Sequence, residues 1–449
     1  MWTKESLLAR IESPSRVLNR RATCRSPGMR ELPIKKRLVF QLGGYDPRPP
    51  EAVYSRFVRE LRRFETTWKV TARAAEAEVT PDAAHWTVVA SGPNWRTETA
   101  YRAVRWDDVI TDSARRSDWH RVPAGLLAFA DFFVSGAFWG FLRANWRYAG
   151  FFLYPYVLLT ALGALALIGG AAIARFAGSA LVGMVVAVAL SIALLQWPAR
   201  RLFLQDLLDD WIFARNYIRG EHSVLGSRLE KVAESLCEAA RGGEADEILV
   251  VGHSLGAALA IDLLDRALLI DPKLGEGRTR VSFLSIGSSI PKIALHRAAT
   301  RFRAAVERVA NAPAIFWGEY QALTDVMNFY KVDPVIDMGI KGKSPLIRQV
   351  RVKAMLDPAA YRRVKRNFYR VHCQFVSGND RRAAYDYFMF TCGPLSAEDQ
   401  VRSPDGVVTS IRPDGALANL PLAEWRAPEL RTARSATKPA SNPRPSHQQ

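Results

Sequence analysis

The chain has 449 residues and a formal net charge of +18, enough length for one large domain or two modest ones with packed cores. No nucleic-acid motif accompanies that charge and the arginines are spread along the chain, so no nucleic-acid partner is expected and an acidic membrane surface is the fitting counter-charge. Cys24, Cys237, Cys373 and Cys392 lie far apart with no C-x-x-C, which argues against a disulfide framework or a zinc site, suits a reducing compartment, and leaves no metal or cofactor expected.

Residues 1–35 form a basic arm with Lys4, Arg10, Arg16, Arg20, Arg21 and Arg25 and no sustained apolar run, so no ordinary signal peptide is expected. The run from Leu38 to Leu42 predicts a strand, which ends in Gly43-Gly44-Tyr45 and leads to a helix over 51–63. Paired glycines at a strand end let backbone amides approach a ligand closely, although an ordinary turn fits the same spacing. Residues 86–90 and 99–106 predict two more strands, separated by the turn signal Ser91-Gly-Pro-Asn94.

From Tyr148 to Ala174 the chain carries no charge, and after Arg175 it is again uncharged from Phe176 to Ala199. About twenty apolar residues cross the hydrocarbon core of a bilayer, so each run is long enough to span it, with Gly178-Ser179 as the turn. Trp146, Tyr148, Tyr154, Tyr156 and Trp197 belong at one water–lipid boundary, and Arg143, Arg147, Arg200 and Arg201 flank that same side, which makes it cytoplasmic by the positive-inside rule. A hairpin buried in a soluble core is the alternative. Residues 122–142 are also apolar apart from Asp131, but a third crossing would put strands of one sheet on opposite sides of the lipid. This stretch, within a segment 122–147, is therefore read as an interfacial helix lying against the membrane or as a wall of the site.

Residues 202–219 have helical periodicity and return the chain to the soluble domain, and Ser227-Arg-Leu-Glu230 reads as a capping box opening a helix to about Arg241. Next comes Glu247-Ile-Leu-Val-Val-Gly-His-Ser-Leu-Gly256, an apolar run feeding a G-x-S-x-G and then leucines at helical spacing. A serine on a sharp strand-to-helix turn needs residues without side chains two before and two after it, which Gly252 and Gly256 supply. Ser254 would then project from a strand end with the Leu255 amide at the helix start facing an oxyanion; a tight turn without chemistry fits the bare pattern too. Strands over 281–286, 314–321 and 347–352 and a helix over 291–310 complete an alternating β/α pattern, and the tail over 427–449 reads as disordered.

A serine hydroxyl needs a base, and the base needs a carboxylate to hold its tautomer. Of seven histidines, His85, His120 and His222 precede the elbow segment, His253 should point away from the neighbouring serine, His296 falls in a helix, and His447 sits in the tail. That leaves His372, downstream of the last strand. For the acid, Asp325 follows the 314–321 strand by about four residues; Glu319 lies inside that strand, and Asp333, the alternative, precedes Pro334 where it can simply open a turn.

With these residues in view, the chain resembles the α/β-hydrolase superfamily. The run Gly252-His-Ser-Leu-Gly-Ala-Ala-Leu-Ala260 is similar to the nucleophile elbow of lipases, and Ser254, Asp325, His372 follow the family order of serine, acid, histidine. The resemblance implies an α/β fold, a mostly parallel sheet with helices on both faces, here interrupted by a two-helix transmembrane hairpin. It implies oxyanion donors at the amides of Leu255 and of Gly44 or Tyr45. The domain plan is then a first hydrolase part over 36–121, the hairpin over 148–199, and a second hydrolase part over 200–426. The expected function is a membrane-anchored serine hydrolase of the lipase or esterase kind, catalytic domain cytoplasmic, acting on an ester that anchoring suggests is lipid-derived. A catalytically silent membrane-tethered module and an acyltransferase using the same triad are the alternatives.

Overall fold

The computed structural model describes residues 33–420, so the expected basic arm up to residue 32 and the tail from 427 lie outside the described residues. Within that range the strands are β1 (Lys36–Leu42), β2 (Thr71–Ala74), β3 (Glu78–Val79), β4 (Ala83–Gly92), β5 (Trp95–Val104), β6 (Glu247–His253), β7 (Arg280–Ile286), β8 (Ile315–Ala322) and β9 (Leu346–Val350). They form one mixed sheet in the order β2-β4-β5-β1-β6-β7-β8-β9, with β3 paired to β4. From β5 to β9 every pairing is parallel, while β2, β3 and β5 each run antiparallel to β4.

Alternation along the central strands divides the interior in two. On β1, Leu38, Phe40 and Leu42 enter one core and Val39 the other; on β6, Ile248 and Val250 are separated from Leu249 and Val251 in the same way. The helices Ser223–Gly242, Gly256–Ile270 and Thr300–Asn311 fill the first core, and the helices Pro50–Trp68 and Tyr387–Cys392 fill the second. Register is set by a buried ion pair: Arg37 and Glu247 are partners across β1 and β6, and Arg37 Nε donates to Glu247 Oε2 at 2.8 Å. The pair's remaining groups are also satisfied, by the Gly393 and Leu395 carbonyls, the Ser282 hydroxyl and the Ala397 amide. A buried pair stripped of one partner would be strongly destabilising.

Several boundaries differ from expectation. The helix assigned to the capping box begins at Ser223, and the Ser227 hydroxyl donates instead to the Ser223 carbonyl one turn back, at 3.1 Å. The single helix expected over 291–310 is two, Ile290–Ala294 and Thr300–Asn311, so His296 lies between helices rather than within one. The short edge strands β2 and β3 were not expected.

Between β5 and β6 the chain makes two helices, Trp146–Ala177 and Ala180–Gln196, with mean hydropathies of 2.3 and 2.2 for the spans they head. Only 11% and 6% of their apolar windows are buried inside the protein, which overturns the alternative of a hairpin inside a soluble core. Apolar residues such as Phe176, 92% exposed, would face water along this whole surface unless lipid covers it. The helices approach closely through small residues: a Cβ on Gly170 would lie 2.6 Å from the Gly183 carbonyl. At 32 residues the first helix is about 48 Å long. Its lower turns, with Tyr148, Phe151 and Phe152, pack into the domain core, and most of the upper part is exposed.

The 122–142 stretch is two helices, Asp118–Val134 and Ala137–Ala144, bent by 69°. The bend falls at Gly136, whose φ is 83°. Phe132, Phe138 and Phe141 face inward, while Trp119, Leu127, Val134 and Trp139 are exposed. Because β5, β1 and β6 are neighbours in one sheet, any bilayer crossings between β5 and β6 must be even in number, which two would satisfy and three would not.

Candidate active site

The elbow is built as its glycines require. β6 is buried throughout and delivers Ser254 with φ 56°, a left-handed conformation rare for a residue with a side chain. A Cβ on Gly252 would lie 2.4 Å from the Ala257 Cα, and one on Gly256 would lie 2.1 Å from the Leu42 carbonyl oxygen and 2.3 Å from that of Gly43. The helix start can therefore approach the end of β1 only because position 256 lacks a side chain. The Ser254 backbone is held on both sides: its N–H donates to the Ile286 carbonyl, and its own carbonyl accepts from the Ala257 and Ser289 amides, each at 3.1 Å.

The loop after β1 passes directly beside the serine. A Cβ on Gly44 would lie 2.9 Å from the Ser254 Cβ and 3.4 Å from its Oγ. Among the described residues, the amides of Leu255, Gly44 and Tyr45 donate to no protein acceptor. Free N–H groups at a helix start and a tight loop suit a developing oxyanion. Tyr45 is held by edge contacts with Trp106 and Phe213, ring centroids 6.0 Å apart in both cases.

His372 and Asp325 are brought together. His372 sits on the short helix Phe368–Cys373, whose N-cap Asn367 accepts from the Arg370 amide. Its Nδ1 is 2.7 Å from Asp325 Oδ2, and both residues are 2% exposed. Asp325 lies just past β8, where Asn328 pins the loop through the Ala322 and Asp325 carbonyls and the Ala322 amide. The second carboxylate oxygen, Oδ1, accepts from the Met327 amide at 2.8 Å. A carboxylate accepting at Nδ1 assigns the proton there, so Nε2 is the acceptor nitrogen. Among the described residues Nε2 is buried and has no partner.

The alternative acid, Asp333, is not at the site. Its Oδ1 accepts from the Val335 and Ile336 amides, closing a turn. Glu319 is buried within β8, where it meets the Ser285 hydroxyl, itself 2.7 Å from the Trp317 indole nitrogen. Burial pushes the Glu319 carboxyl up to about 8, so it is largely protonated at neutral pH.

The His253 ring stands 4.6 Å from that of His372, and its Nε2 lies 3.3 Å from the His372 carbonyl, a packing not foreseen in the sequence. Burial, reinforced by the neighbouring imidazole, holds its pKa well below the usual value, so it is neutral. Nothing in the local sequence indicated this, because the packing comes from a helix 119 residues away.

Ser254, His253, His372, Gly44 and Tyr45 all line one cavity of about 430 Å³. Its wall also takes Tyr148 and Phe151 from the first hairpin helix and Phe203 from below the second, a contribution not foreseen in the sequence. The hairpin foot is tied to the acid loop as well: Arg147 donates to the Leu323 carbonyl, Asn145 donates to that of Tyr330 at 3.2 Å, and Tyr148 stacks on Phe329. Among the described residues no group of three or more His, Cys, Asp or Glu side chains is arranged to hold a metal ion. Compared with protein-family models, curated proteins and solved structures, the chain finds no match.

Proposed function

We propose that this protein is a membrane-anchored serine hydrolase that cleaves an ester by a Ser254, His372, Asp325 mechanism on an α/β-hydrolase-like domain facing the cytoplasm. One observation carries the reading: His372, oriented by Asp325 at 2.7 Å, has a buried and unpartnered Nε2 and lines the same cavity as Ser254. The strand-turn-helix around Ser254 and the adjacent β1 loop support the family resemblance drawn from the sequence.

In this mechanism the Ser254 oxygen bonds to the acyl carbon while its proton passes to His372 Nε2. The carbonyl π-electrons move onto the oxygen, which takes hydrogen bonds from the Leu255 amide and from that of Gly44 or Tyr45. Collapse breaks the acyl–oxygen bond, and the leaving alcohol takes the proton from Nε2. Water repeats the sequence on the acyl-enzyme, releasing acid and free serine. The serine hydroxyl and Nε2 are not hydrogen-bonded in the structure. Such contacts are commonly loose before substrate binds, and the relay forms when the hydroxyl and Nε2 come within hydrogen-bond reach.

A cytoplasmic domain follows from the arginines at the hairpin foot, and a lipid-derived ester fits an enzyme confined to the layer where acyl chains reside. The test is labelling of isolated membranes with a fluorophosphonate. The wild-type protein is expected to label, with loss of signal in Ser254→Ala and a drop of at least a hundredfold in rate in His372→Ala. Labelling that persists in Ser254→Ala removes the catalytic assignment, and a wild-type protein that never labels favours a silent module.

A further inference from the structure

The wall of the cavity that meets the hairpin is aromatic. Tyr148 and Phe151 come from the first turns of the Trp146–Ala177 helix, Phe203 from the turn below the second helix, and Phe368 from the helix that carries His372. Phe368 is the hub: its ring centroid lies 6.0 Å from Phe151, 6.1 Å from Tyr154 and 5.6 Å from Phe203. Residues 368 and 372 are four apart on one helix and share a face, so the hub and the base nitrogen address the same space. The Tyr154 hydroxyl donates to the Leu202 carbonyl at 3.1 Å and clasps the two feet of the hairpin. Past Tyr154 the same helix continues with exposed Val157, Leu165 and Ile168. An aromatic strip of the cavity wall, whose lining elsewhere includes charged Arg48 and Asp107, therefore adjoins the exposed apolar surface of the hairpin.

We infer that Tyr148, Phe151, Phe203 and Phe368 form an acyl-chain subsite that opens toward the bilayer alongside the first hairpin helix. The substrate class is then a long-chain ester resident in the membrane. Its carbonyl reaches Ser254 while the tail of its acyl chain stays against the hairpin, and the ring of Phe368 sets how much chain the subsite accepts. This rests on the hydrolase reading and adds to it where the acyl group lies and what limits it. The hairpin is on this view part of the binding site as well as an anchor, because a hydrocarbon chain leaving the cavity meets helix rather than water. Burial of each methylene against such a wall raises kcat/KM by about fourfold.

The experiment uses full-length protein in detergent micelles with p-nitrophenyl esters from acetyl to hexadecanoyl. Wild type is expected to show kcat/KM climbing with chain length before a plateau. Phe368→Trp, which fills the subsite, should lower the dodecanoyl-to-acetyl ratio of kcat/KM at least tenfold, and Phe203→Trp should move it in the same direction. Should either variant fail to fold, the wild-type profile still decides. Serine-dependent cleavage with a flat chain-length profile, or an unchanged ratio in folded variants, overturns the subsite alone. No Ser254-dependent cleavage or labelling at any chain length overturns the hydrolase reading beneath it.

Discussion

Asp325 and Asp333 stand on one segment, and their environments separate them. Asp325 spends one oxygen on the Met327 amide and the other on His372 Nδ1, whereas Asp333 spends Oδ1 on two amides of its own turn. If the first orients the base, Asp325→Asn puts a hydrogen-bond donor opposite Nδ1 and favours the wrong tautomer. The expected result is a loss of about 10³–10⁴ in kcat on a soluble ester with little change in KM. Asp333→Asn should leave kcat within about threefold and lower thermal stability by roughly 1 kcal/mol, as a weakened turn would. Comparable kcat losses in the two variants would reverse the assignment. Steady-state kinetics and thermal unfolding of both proteins make the comparison.

At the scale of elements, β8, next to the edge strand β9, holds a buried carboxylic acid within the sheet. Protonated Glu319 can donate to the Ser285 oxygen, leaving the Ser285 hydroxyl to reach the Gly318 carbonyl at 3.3 Å. Its folded value of about 8 lies above the ordinary carboxyl value of 4.5, so the folded state holds the proton more tightly. The stabilisation is complete below the unfolded value and is lost as pH rises through the folded one, at up to about 1.4 kcal/mol per pH unit between them. Glu319→Gln should flatten the fall in Tm between pH 5 and pH 8 and raise Tm at pH 8. A parallel fall in both proteins would show that another group titrates there.

The elements that sequence reading found are those whose signal is local. The β6 run is apolar on both faces and closes on glycine, and each hairpin run is long and apolar enough to cross a bilayer. What stayed hidden depends on distant partners. Thr71–Ala74 and Glu78–Val79 become strands only because β4 offers an edge. The Ser227 box was misread because serine bonds equally well to the carbonyl one turn back. Ser254, Asp325 and His372 could be named from type and order, but that Asp325 faces His372 depends on the loop pinned by Asn328, and the place of His253 depends on packing across the cavity.

For the molecule as a whole, the apolar hairpin and the candidate site are packed together. The first helix of the hairpin starts with Asn145 and Arg147 bonded to the Asp325 loop and with Tyr148 in the cavity wall. If the hairpin spans a bilayer, the sheet demands an even number of crossings, and the positive-inside rule expects the foot, with Arg143, Arg147, Arg200 and Arg201, on the cytoplasmic side and the tip, with Arg175, on the other. In intact cells, a single cysteine placed at Ser179, on a background with native cysteines replaced, should therefore react with a membrane-impermeant maleimide. One placed at exposed Glu221, beyond the foot, should react only after permeabilisation. The reverse pattern would put the serine outside the cell while keeping the fold intact. Reaction at both sites in intact cells would mean that the hairpin lies along the membrane and does not cross it.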